Sequence, residues 1–123
     1  MGLYKDCFRF EGELPDLEAV RAEAERRLGD AGGIESLTVE DGLVCAYSML
    51  DPFTRPVVCS ILQELGGQYV GLDGQPKATQ FPEWAHRPIR EMGWRDRVAV
   101  KYRFWAWLLG TAKPSPNGRE SGR

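Results

Sequence analysis

The sequence predicts an α+β fold: a four-stranded antiparallel sheet with two helices on one face, followed by a C-terminal aromatic and basic extension. Three observations carry this prediction. Short stretches rich in β-branched and aromatic residues alternate with two segments whose apolar residues recur at helical spacing. Turn and cap residues separate these segments in the order β-α-β-β-α-β. Beyond residue 80 the pattern breaks, and tryptophan and arginine accumulate.

The first strand is expected over Leu3–Phe10, ended by Glu11-Gly12. Pro15 and Asp16 open a helix, proline because its fixed φ suits a first turn, Asp16 and Glu18 because carboxylates favour the positive end of the dipole. Leu17, Val20, Ala24 and Leu28 fall on one face of this helix, and Gly29 stops it. Two strands, Ile34–Glu40 and Leu43–Leu50, are joined by Asp41-Gly42, a pair suited to a two-residue hairpin turn. That turn pairs Glu40 with Leu43, Val39 with Val44 and Leu37 with Ala46, and the apolar pairs share one face. The other face of the second of these strands carries Leu43, Cys45, Tyr47 and Met49, so this strand expects cover on both sides.

Thr54 is the expected N-cap of a second helix, with Pro56 tolerated in its first turn. Val57, Val58, Ile61, Leu62 and Leu65 form its apolar stripe, and Gly66-Gly67 closes it. Gln68–Leu72 is a fourth short strand, followed by an Asp73-Gly74 turn and by Pro76, which argues against a central strand there. With right-handed crossovers, this βαββαβ succession resembles the ferredoxin-like arrangement over residues 3–72. The resemblance is to a fold that hosts unrelated functions, so it implies none.

Residues 73–110 read as a Trp/Arg-rich extension that packs on this core within a single domain, residues 1–110; residues 111–123 read as a disordered polar tail. Prolines 76, 82 and 88 make the connection irregular, with one helical turn expected around Glu83–Arg87. From Val98 the sequence alternates as a strand would, while Trp94, Val98, Tyr102, Trp105 and Leu109 also form a helical stripe; β-branched and aromatic content favours the strand. Trp105, Trp107 and Phe104 are then expected to cover the sheet face of Leu43, Cys45, Tyr47 and Met49.

Charge is divided unevenly. Residues 1–80 carry a formal charge of −7 and residues 81–123 of +5, within a chain of net charge −2. The two parts either attract one another or face different partners. The three cysteines, Cys7, Cys45 and Cys59, lie among apolar residues with no C-x-x-C spacing, and the single histidine, His86, cannot complete a zinc pattern with them. Reduced buried thiols in a cytoplasmic protein are therefore expected, with no metal and no cofactor.

Phosphate-loop, dinucleotide-binding, zinc-protease and nucleophile-elbow motifs do not occur in the chain. Acid/base chemistry has His86 as its candidate, with Glu83 three residues earlier. Asp51, Thr54 and Arg55 could line an anion site at a helix N-terminus, although turn and cap roles explain them more simply. Trp84, Arg87, Arg90, Trp94, Trp105, Trp107 and Tyr47 are the candidate binding residues, because Trp, Tyr and Arg dominate interface energetics.

The expected role is a non-catalytic protein-interaction or regulatory module, acting on a protein partner or on a second copy of itself. A toxin-neutralising protein is one version, since an acidic domain masks a basic enzyme. The alternative is a small-molecule site or enzyme with a cleft around Tyr47, His86, Arg87, Arg90 and the tryptophans. Nucleic-acid binding is disfavoured by the acidic body. Attachment to a membrane surface through the Arg/Trp run is a further, weaker alternative, because the apolar part is too short to span a bilayer.

Overall fold

The computed structural model describes residues 3–71, 75–77 and 81–110. The chain divides into two compact units, Met1–Met92 and Gly93–Arg123. The first unit contains β1 (Leu3–Arg9), α1 (Leu17–Leu28), β2 (Ile34–Glu40), β3 (Leu43–Met49), α2 (Thr54–Glu64) and β4 (Gln68–Val70), followed by two 3-10 turns, Glu83–His86 and Ile89–Glu91. The second contains α3 (Trp94–Leu108). The fold is α+β, with four antiparallel strands in the order β2-β3-β1-β4.

The hairpin of β2 and β3 has the register that its turn residues predict: Glu40 opposite Leu43, Val39 opposite Val44, Leu37 opposite Ala46. Asp41 and Gly42 both take positive φ, 52° and 79°, as a type I′ turn requires. The register shifts between Ile34 and Ser36, so β2 begins with a bulge. β4 is three residues long, shorter than expected, and Pro76 makes one bridge to Val70 on its outer side. Leu72 and the Asp73-Gly74 turn lie outside the described residues.

The inner face of the sheet, with Phe8, Val44 and Ala46 fully buried, packs against α1 and α2. α1 contributes Val20, Ala24 and Leu28; α2 contributes Val57, Val58, Ile61 and Leu62. Each buried valine, leucine and isoleucine among them adds roughly 1.5–3 kcal/mol through removal of apolar surface from water, and Ala24 under about 1 kcal/mol. Leu65, expected in the α2 stripe, is instead half exposed after the helix end. Asp16 caps α1 by accepting the Glu18 N–H, and Gly29 ends it at φ 56°.

Thr54 does not cap α2 as the sequence suggests. Asp51 does that work from three residues upstream: its carboxylate accepts the Phe53 and Thr54 N–H groups and the Thr54 hydroxyl. The Thr54 hydroxyl in turn accepts the Gly33 N–H and fastens the loop before β2. A carboxylate reaches both orphan N–H groups from a bend that a threonine at the first helical position cannot form.

Residues 81–92 contain the helical turn expected around Glu83–Arg87, as the 3-10 turn Glu83–His86. They pack on the helix side of the unit and bury Ala85 and Ile89, with Trp84 set edge-on against Phe53 at 5.6 Å. They do not cover the face of Leu43, Cys45, Tyr47 and Met49.

Residues 94–108 form a helix, which overturns the strand reading of Val98 onward. Aromatic content favoured a strand only through packing on a pleated surface, so the propensity is contextual. Gly93 supplies an extended N-cap position, and Asp96 lies in the first turn, where its charge suits the dipole.

Candidate functional site

The outer sheet face is built from the odd-numbered residues of β1 and β3. Lys5 lies opposite Tyr47, and Cys7 lies opposite Cys45. Glu40, at the end of β2, gathers the polar groups of this face. It accepts the Tyr47 hydroxyl at 2.6 Å and the Thr38 hydroxyl at 2.8 Å, and pairs with Lys5 at 2.9 Å. The hydrogen bond from Tyr47, with those from Lys5 and Thr38, holds the Glu40 carboxyl at about 2. The same contact raises the Tyr47 phenol. Tyr47 is thus a saturated member of a surface network.

Beside this network the two thiols of Cys7 and Cys45 stand 2.9 Å apart. They line a cavity of about 560 Å³ together with Lys5, Leu43, Arg55 and Tyr69 among others. Burial, then the contact with Cys7, pushes the Cys45 thiol up to about 12.

Where the cavity meets the edge of β1, Arg55 of α2 clasps Asp6 with two hydrogen bonds, 2.9 and 3.0 Å. Asp6 is 1% exposed and also accepts the Tyr69 hydroxyl at 2.8 Å. The Tyr4 ring stacks on the guanidinium, 4.6 Å from its centroid. Arg55 therefore serves a buried carboxylate, and the anion site suggested for Asp51, Thr54 and Arg55 does not assemble: Asp51 is committed to the α2 cap.

On the helix side, Arg27 of α1 is nearly buried and joins three elements. It donates to Glu23, to both oxygens of Glu64, and to the Ala85 carbonyl at 3.3 Å. Glu64 also pairs with His86 Nδ1. The hydrogen bond from Arg27, then that from His86, lowers the Glu64 carboxyl below its usual range. Glu83 and His86 line an open cavity of about 630 Å³ with Gln63, Phe81 and Pro82. His86 is engaged with Glu64 of α2 rather than forming the expected pair with Glu83.

The predicted cleft joining Tyr47 to His86, Arg87 and Arg90 is not formed within the first unit. Tyr47 belongs to the outer sheet face, whereas the segment of His86, Arg87 and Arg90 packs on the helix side. Arg87 and Arg90 are exposed. Trp84 is half-buried against Phe53, a core role.

Trp94, Trp105 and Trp107 sit on α3. None of the fifteen residues of this helix is buried. Trp94 is 70% exposed and Tyr102 73%, with Val98, Trp105, Trp107 and Leu108 also exposed. At 100° per residue, Trp94, Val98, Tyr102 and Trp105 share one stripe. Arg95 lies over the Trp94 ring at 5.4 Å, and Phe104 contacts Trp105 and Trp107 at 5.7 and 6.4 Å. Val100 and Phe104, half-buried, mark a second face.

Among the features that escaped sequence reasoning are the Asp6–Arg55 clasp and the Cys7–Cys45 contact. The second was accessible in principle, because placing β1 beside β3 puts both cysteines at facing odd positions. Among the described residues no group of three or more His, Cys, Asp or Glu is placed to hold a metal ion. No described helix is long and apolar enough to cross a membrane. Comparisons with protein-family models, with curated proteins and with solved structures return no match to this chain.

Proposed function

We propose that this chain is a non-catalytic interaction module in which a ferredoxin-like body carries α3 as its docking element. Read from its other edge the sheet order is β4-β1-β3-β2, and together with the βαββαβ succession this supports the finer fold reading. The observation that carries the functional reading is α3 itself: a helix with three tryptophans, a tyrosine and a phenylalanine that buries none of them. Clustered exposed aromatic side chains mark interaction surfaces, and Trp, Tyr and Arg are the residues that anchor them. Arg95, Arg97, Lys101 and Arg103 against Asp96 make the helix basic, which suits a partner with an apolar groove and an acidic rim. A protein partner or a second copy fits that description. The toxin-neutralising version rests on the −7 charge of residues 1–80 and would use that acidic surface instead.

Sedimentation of the full chain against Trp94→Glu/Trp105→Glu tests the self-association form. Concentration-dependent association in the native chain, lost in a folded variant, supports it. A native chain that stays monomeric at all concentrations removes the second copy as the partner. Association that survives the double substitution removes α3 as the element responsible.

The cavity beside His86 favours a second reading, a small-molecule site. Chemical-shift changes at Gln63, Glu83 and His86 in a fragment screen would support it.

A further inference from the structure

We propose that Cys7 and Cys45 are a redox-responsive dithiol that closes into a cross-strand disulfide by exchange with a low-molecular-weight disulfide of the glutathione type. Three independent features of the fold support this.

The first is register. Cys7 and Cys45 are direct Cα partners on neighbouring antiparallel strands. Directly opposed residues of such a pair have Cα atoms about 4.5–5.5 Å apart, inside the range of roughly 4.4–6.8 Å that a disulfide spans. Both side chains leave the sheet on the same face, so no backbone movement is needed to join them.

The second is contact. The two sulfurs lie 2.9 Å apart, with no atom between them. The third cysteine, Cys59, is buried in α2 on the other side of the sheet, so the pairing is unambiguous.

The third is access. Cys7 is half-buried in the wall of the cavity of about 560 Å³, large enough for one arm of a tripeptide disulfide. Lys5 and Arg55 supply cations on that wall, paired with Glu40 and Asp6 respectively, and Asp41 adds a further carboxylate. Cys7 is half-buried at the cavity wall whereas Cys45 is buried, so Cys7 is the attacking sulfur and Cys45 the resolving one.

The chemistry balances without another reactant. The Cys7 sulfur attacks the small disulfide, forming a mixed disulfide and releasing one small thiolate, which takes up the Cys7 proton. Cys45 then attacks the Cys7 sulfur, its proton passing to the second departing thiolate. Two protein thiols are oxidised and one small disulfide is reduced to two thiols. The new bond joins β1 to β3, the two central strands, and closes the loop that contains α1 and β2. Its effect is to restrict the unfolded chain.

The test incubates the full-length protein in glutathione buffers running from fully reduced to mostly oxidised. Titratable thiols in denaturant should fall from three to one, the intact mass should drop by two hydrogens, and peptide mapping should place the bond between Cys7 and Cys45. The melting temperature should rise by roughly 10 °C and return on addition of dithiothreitol. Cys45→Ser should stall as a glutathione adduct on Cys7, and Cys59→Ser should oxidise as the native chain does. Retention of all three thiols in the oxidised buffer, a stable adduct without ring closure in the native chain, or a mapped bond to Cys59 would each overturn the proposal. Mapping on the native chain keeps the test decisive even where a serine variant fails to fold.

Discussion

Arg55 holds Asp6 across 49 residues of sequence with two parallel hydrogen bonds, one from Nε and one from Nη2. The carboxylate is buried and the guanidinium is not, so the pair forms a bolt between the middle of β1 and the first turn of α2. Tyr69 adds a third donor from β4. Three elements are thus held by one carboxylate.

Removing the cation should therefore cost more than removing the pair. Arg55→Met leaves a buried carboxylate without its charge partner, and we expect a loss of about 3 kcal/mol in urea unfolding. Arg55→Met combined with Asp6→Leu should recover part of it, because two apolar groups need no partner.

Arg27→Met should destabilise by about 2 kcal/mol, the partial exposure of Glu23 and Glu64 weakening the ion-pair contribution. It should also loosen the 81–92 segment, since the Ala85 carbonyl loses its donor. Faster hydrogen exchange at Ala85 and Arg87, relative to the sheet, is the measurement.

Acid should unfold the protein in a defined window. Hydrogen bonds from Arg26 and then Arg27 hold Glu23 at about 2, against an ordinary 4.5, and Glu40 is held equally low. A carboxylate with a depressed folded pKa contributes stability that is present above its unfolded value and is lost as pH falls through the folded one. The melting temperature should accordingly fall between about pH 4.5 and 2. Glu23→Gln should flatten that fall, and an unchanged slope in Glu23→Gln would remove Glu23 from the account.

Gly67→Ala should be costly for a steric reason. A Cβ there would stand 2.6 Å from Phe10 Cζ and 2.9 Å from the Leu62 carbonyl oxygen, which already accepts the Gly67 N–H. Phe10 can rotate, but the helix backbone cannot, and about 2 kcal/mol of destabilisation is expected in thermal or urea melts.

What the sequence revealed and what it hid follow from the range of the interactions. Asp41-Gly42 specified a hairpin and its register because both residues accept positive φ locally. Asp16 and Gly29 marked α1 for similar reasons. Residues 98–109 carried apolar side chains at both period two and helical period, so no local signal could decide between them. The pairing of Asp6 with Arg55 gave no local signal, since it exists only once β1 lies beneath α2. The tryptophans misled by their grouping: Trp84 serves the core against Phe53, whereas Trp94, Trp105 and Trp107 are displayed on α3.

The two ends of the sheet limit how this molecule can associate. On one edge, the bulge at the start of β2 breaks the regular row of N–H and C=O groups that an incoming strand would need. At the other, Pro76 sits outside β4 with no N–H to offer. Ribbon-like growth by strand addition is disfavoured at both margins, and amyloid-type stacking of folded molecules with it. What these two margins offer to another molecule is side chains rather than backbone, so any recognition there should depend on sequence and be sensitive to single substitutions.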